Sequence, residues 1–218
     1  MSSETNRIDQ FLLSSQLLIE NTLTDTEIKT ILAGYGYTET KLMTGKSLYE
    51  TAAALHYAQK KEFGEQVAAT AQQDSFRDKA HQQYIRTLKI ARVAFNEKVK
   101  ADKATMLYGR RKQSLSGWLQ QAKAFYANIL ADNDFLASLS EYGYTQEKLG
   151  HELALIDQVT AKHLAQKKEM GEAQEATETR DKALDDLARW VSDFRAVVKV
   201  ALYENSQKLE KLGILARR

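Results

Sequence analysis

Four histidines, ten tyrosines and no cysteine limit the chemistry open to this 218-residue chain. His56 and His163 stand 107 positions apart in similar surroundings, which raises the question of a metal site. A di-metal carboxylate centre in a helical bundle needs Glu-x-x-His pairs, with further glutamates projecting inward. The residues three before the histidines are Ala53, Asp78, Lys148 and Thr160, so that spacing is missing. Asp78 with His81 is the single acid–histidine pair, and 107 positions on it reads Asp185 with Ala188. The expected reading is histidines packed at a bundle seam, with no metal ligands and no cofactor.

Catalytic motifs are equally sparse. There is no G-x-S-x-G elbow, no H-E-x-x-H and no complete phosphate loop. Gly45-Lys46-Ser47 has the end of such a loop, but Thr40 stands where its first glycine belongs. Without cysteine there is no disulfide, thiolate zinc site or thiol nucleophile. No catalytic residue is expected, and the reading leans away from an enzyme.

What the chain does carry is internal similarity. Shifted by 107 positions, Tyr35-Gly36-Tyr37-Thr38 falls on Tyr142-Gly143-Tyr144-Thr145, and Ala58-Gln59-Lys60-Lys61-Glu62 falls on Ala165-Gln166-Lys167-Lys168-Glu169. Roughly a quarter of the overlapping positions are identical. The expected architecture is all-α, a tandem duplication of a three- to four-helix antiparallel bundle unit, with domains 1–107 and 108–218. Absence of proline fits long helices joined by short turns.

Two shared segments are candidate surfaces. Gln59, Lys60, Lys61, Glu62 and Gly64, with Gln166, Lys167, Lys168, Glu169 and Gly171, form a lysine-rich helix face with a glycine inside it. A glycine there calls for close approach of a neighbouring helix, within the chain or from a partner. Tyr35, Tyr37, Tyr142 and Tyr144 could form a binding platform on the turn. The competing structural reading has glycine at positive φ, threonine capping the next helix, and the tyrosines closing over the core.

The elements that would position these residues follow from periodicity. Ile8, Phe11, Leu12, Ser15, Leu18 and Ile19 mark a first helix. Thr24 with Glu27 reads as a capping box opening a short helix to Ala33, with Asp132 to Leu139 as its counterpart. A second stripe begins at Glu39, a turn or kink is expected near Thr70 to Asp74, and a third stripe runs from Phe76 to Phe95. The period, the three long helices and the aromatic early in the first, Phe11 and Trp118, resemble a spectrin-type repeat in architecture. At the junction, Tyr108 to Gly117 either continues as one helix or is closed by Gly109 and reopened by Ser114 as N-cap.

Charge separates the partner classes. Residues 1–107 carry 14 Lys and Arg against 13 Asp and Glu, and residues 108–218 carry 17 against 16, so each half is +1. Interleaved signs disfavour nucleic acid, whose binders concentrate basic charge. Arg110, Arg111 and Lys112, with Arg217 and Arg218, are the short basic clusters that remain for an anionic partner. No membrane span or leader is expected, and the compartment expected is the cytoplasm. The function expected is a non-enzymatic helical scaffold or protein-interaction module, through a protein partner or self-association. The alternative is a small-ligand or metal-binding bundle, a carrier or ferritin-like enzyme, with His56, His163 and Tyr49 at the wall of its core.

Overall fold

A computed structural model describes residues 3–96 and 99–215. Among them are eight helices and no strand: α1 Ser3–Thr24, α2 Thr26–Ala33, α3 Glu39–Ala94, α4 Val99–Thr105, α5 Leu115–Leu130, α6 Asn133–Ser140, α7 Gln146–Ala201 and α8 Ser206–Lys211. Arg217 and Arg218 lie outside the described residues. No helix is long and apolar enough to cross a membrane among those residues.

The local chemistry explains most boundaries. Asp25, not Thr24, is the N-cap of α2, and its carboxylate accepts from the backbone N–H of Glu27 and Ile28. Thr24 instead donates to the carbonyl of Glu20, so the expected capping box does not form. The backbone bond to Ile28 leads the effects that hold the Asp25 carboxyl below its usual range. Asp132 caps α6 in the same way. Gly36 and Gly143 take φ of 81° and 75°, and the N–H of the next tyrosine returns to Leu32 or Leu139. A left-handed residue with this back-bond ends a helix at low steric cost only when it is glycine.

The expected break near Thr70 to Asp74 is absent, because α3 runs unbroken for 56 residues. Nothing there forbids it: no glycine or proline interrupts Thr70 to Asp74, and the Thr70 hydroxyl bonds back to the Gln66 carbonyl. α7 is also 56 residues long. The expected second and third helices of each copy are therefore one helix, which departs from the three-helix spectrin-type pattern.

Two compact units result, and they do not follow 1–107 and 108–218. Unit 1 is Met1–Phe63 with Glu172–Arg218, and unit 2 is Gly64–Gly171. Each long helix supplies one half to each unit. In unit 1 the core is Leu18, Ile19, Ile28, Leu32, Tyr37, Leu42 and Ala52 against Leu187, Val191, Phe194, Val198 and Leu202. In unit 2 it is Tyr84, Leu88 and Phe95 against Trp118, Phe125, Tyr126, Ile129, Phe135, Leu149 and Ile156. Within each unit the halves of α3 and α7 run antiparallel, as the pairs Gly45–Trp190 with Gln59–Arg180, and Thr70–Gln166 with Thr87–Glu152, require.

The junction lies inside unit 2. α4 ends at Thr105, Gly109 has φ of 88°, and the Ser114 hydroxyl caps α5 by accepting from Gly117 N–H. The chain is not one continuous helix there.

Candidate functional site

The lysine-rich runs lie mid-helix on α3 and α7. Gln59 and Gln166 are half-buried and structural. Gln59 donates to the Thr177 hydroxyl and accepts from Arg180 in unit 1, while Gln166 donates to the Thr70 hydroxyl in unit 2. Gln59–Thr177 and Gln166–Thr70 are the same contact with the copies exchanged, which gives the shared glutamine a packing reason. Lys60 pairs with Asp9 at 3.1 Å. Lys60, Lys61, Lys167 and Lys168 are exposed, and Glu62 and Glu169 half-buried.

Gly64 and Gly171 depart from expectation. A Cβ built on either meets nothing within 4 Å, so no neighbouring helix accounts for these glycines among the described residues. Gly64→Ala and Gly171→Ala should each stabilise the protein by up to about 1 kcal/mol through helix propensity alone. Urea denaturation followed by far-UV circular dichroism checks this, and a fall in midpoint for both would refute it.

The turn tyrosines divide by position. Tyr37 is buried against Trp190 and Phe194, and Tyr144 is half-buried. Lys41 lies 3.9 Å over the Tyr37 ring and Lys148 3.5 Å over the Tyr144 ring, the same cation–π contact in each copy. Tyr35 and Tyr142 are exposed. Only the first tyrosine of each turn is placed for a platform.

The equivalent histidines have different settings. His56 is buried in unit 1, with Nε2 3.0 Å from Asp9 Oδ1, whereas His163 is half-buried in unit 2. Lys60 first, then His56, hold the Asp9 carboxyl below its usual range by hydrogen bonding. Nδ1 of each histidine is buried without a partner among the described residues. Neither histidine joins a cluster of three potential metal ligands there. Tyr49 is half-buried in α3.

Sequence reasoning missed a buried polar group in unit 2. Glu152 is 6% exposed, and its Oε2 accepts from the Thr87 hydroxyl at 2.5 Å and the Tyr126 hydroxyl at 3.0 Å. Glu152 also lines a cleft of 380 Å³ with Gln83, Lys148 and His151. The only signal available was a glutamate at an inward position of the α7 stripe, which periodicity alone reads as a lapse.

Burial, then the neighbouring Glu152 charge, pushes the Tyr126 hydroxyl far above its ordinary value, so it stays a donor. Burial likewise raises Tyr84, partly offset by Arg111. A raised folded value means the stabilisation is complete below the unfolded tyrosine range near about 10 and is lost as pH rises through the folded one. Stability should therefore decline above about pH 10, with a shallower decline in Tyr126→Phe. Denaturation midpoints measured across alkaline pH check this, and an unchanged slope in the variant counts against it.

Of the basic cluster, Arg111 is committed to its own loop. It donates to the Tyr84 hydroxyl at 3.0 Å and to the carbonyls of Met106 at 2.7 Å and Tyr108 at 2.9 Å. Arg110 and Lys112 are exposed.

Comparison of the chain with protein-family models, with curated proteins and with solved structures finds no match.

Proposed function

We propose that this protein is a non-enzymatic helical scaffold that binds a protein partner, built by tandem duplication of a 107-residue unit. The duplication is supported by element bounds: α2 and α6 have 8 residues each, α3 and α7 have 56 each, and the second of each pair begins 107 positions after the first. The cytoplasmic setting belongs to the same reading and rests on the lack of cysteine.

One observation carries the interaction role. The shared Ala-Gln-Lys-Lys-Glu run is bracketed by exposed large apolar side chains in both copies, Tyr57 and Phe63 in unit 1, Leu164 and Met170 in unit 2. The residue types differ while the exposure recurs. Exposed apolar groups beside flexible lysine stems suit a protein surface, where they would be covered on binding. The open glycine that follows each run adds bare backbone beside it.

Site-specific photo-crosslinking from positions 63 and 170 in cells tests the reading. Discrete protein adducts are expected, reduced by Tyr57→Ser and by Leu164→Ser respectively. Absence of adducts from both positions, or a reproducible stoichiometric metal content in the purified protein, would overturn it in favour of the ligand-binding alternative.

A further inference from the structure

Unit 2 holds a cleft of 540 Å³ between α3, the segment leading into α5, and the start of α5. Its wall includes Arg77, Asp78, His81, Arg111, Lys112 and Trp118. Three permanently or ordinarily cationic side chains face one carboxylate, so the wall has an excess of positive charge. The volume is that of a small-molecule site.

Two buried polar atoms at this wall have no partner among the described residues: Trp118 Nε1 and Arg111 Nε. Trp118 is 4% exposed. Both atoms are obligate donors, and a buried donor left unmade costs more than a made bond contributes. The Arg111 guanidinium is held in place at the wall by its bonds to Tyr84, Met106 and Tyr108. A negatively charged oxygen in the cleft would balance the cationic excess of its wall.

The rest of the wall describes the body of that ligand. The His81 ring lies 5.9 Å from the Trp118 ring at 53°, and Ile85 adds an apolar surface beside them. Rings and a branched aliphatic chain suit a planar or apolar group.

The other copy serves as an internal comparison. Moved by 107 positions, Arg77 becomes Leu184, His81 becomes Ala188, and Trp118 becomes Phe11. Those replacements remove the charge, one ring and the indole donor together. A cleft recurs at the shifted place, lined by Asp185 and Ala188, but without counterparts of Arg77, the histidine ring and the indole.

We propose that the Arg77–Arg111–Lys112–Trp118 cleft binds a small molecule carrying a carboxylate or phosphate group on a planar or apolar body. This site is separate from the α3 and α7 surface runs and stands without them.

The test uses the full ¹⁵N-labelled chain and its two indole N–H signals. Trp190, in unit 1, also has an unpartnered Nε1 and is the internal reference. Benzoate and phenyl phosphate are titrated separately, and the tighter probe identifies the head group. A saturable shift at Trp118, with Trp190 unmoved, is expected. Arg77→Glu with Lys112→Glu should weaken the binding about tenfold or more. Both residues are exposed, and unchanged dispersion of the backbone amide signals of unit 2 shows that the variant has folded. No shift at Trp118 with either probe, equal shifts at both indoles, or affinity indifferent to the charge reversal would each overturn the proposal.

Discussion

Gly45→Leu is expected to destabilise unit 1 by about 3 kcal/mol or more, and Gly45→Ala to be destabilising too, against the usual sign for a helix glycine. A Cβ at this position would lie 2.3 Å from Trp190 Cη2 and Cζ2 and 2.7 Å from Cε2. The indole is hemmed on two sides, tilted against Phe194 with centroids 4.8 Å apart and meeting Tyr37 edge-on at 6.0 Å. Alanine contributes about 1 kcal/mol of helix propensity, while forcing atoms into a packed aromatic cluster costs about 1–3 kcal/mol. The steric cost outweighs the propensity gain and sets the sign. Denaturation followed by tryptophan fluorescence measures it, with Gly64→Ala as a control of opposite sign. Trp190→Leu should restore stability in the Gly45→Ala background. A higher midpoint for Gly45→Ala alone would remove the argument.

The second large effect lies at Glu152. Thr87→Val and Tyr126→Phe each remove one donor to the same buried carboxyl oxygen, and each should cost about 1.5–3 kcal/mol. Together they leave Glu152 buried without either hydroxyl, so the pair should cost about 3 kcal/mol or more. Because both bonds share one acceptor, the two losses should not add, and a double-mutant cycle in urea reads the coupling. Adding Glu152→Leu to the double variant should recover much of the loss, since an apolar group of similar size needs no donors. If the triple variant is no more stable than the double, the cost came from packing and the hydrogen-bond account fails.

Gly45 and Glu152 fall on each other under the 107-residue shift. Unit 1 uses the position for close aromatic packing and unit 2 for a polar group. The sequence displays this difference, yet neither role is legible in it. On sequence alone the glycine stands out only as part of an incomplete phosphate-loop pattern, and the structure places it inside α3. The Trp118 cleft is equally hidden: the Asp78–His81 pair, Arg111 and Trp118 are separate in sequence, and only folding brings them to one wall.

Parts of the candidate surface are legible for a local reason. The Tyr-Gly-Tyr turn, the positive φ of its glycine and the capped starts of α5 and α6 depend on neighbours within a few residues, and all of them form. The kink near Thr70 does not form, because a long helix tolerates a change in apolar phase when the neighbours it packs on change along its length. Gly64 and Gly171 suggest a close neighbour, within the chain or from a partner, and none from this chain stands there among the described residues.

The sequence by itself determined helicity, the glycine turns and the recurrence of its motifs, because propensity and turn chemistry act over short stretches of chain. Only the tertiary structure decided which halves share a core and which polar groups meet. Thr87 and Glu152 are 65 residues apart, and Gln59 and Thr177 are 118 apart. At such separations the meeting depends on how whole helices pair, and α3 and α7 remain unbroken where the apolar pattern suggests two helices each. That continuity made each compact unit from segments early and late in the chain.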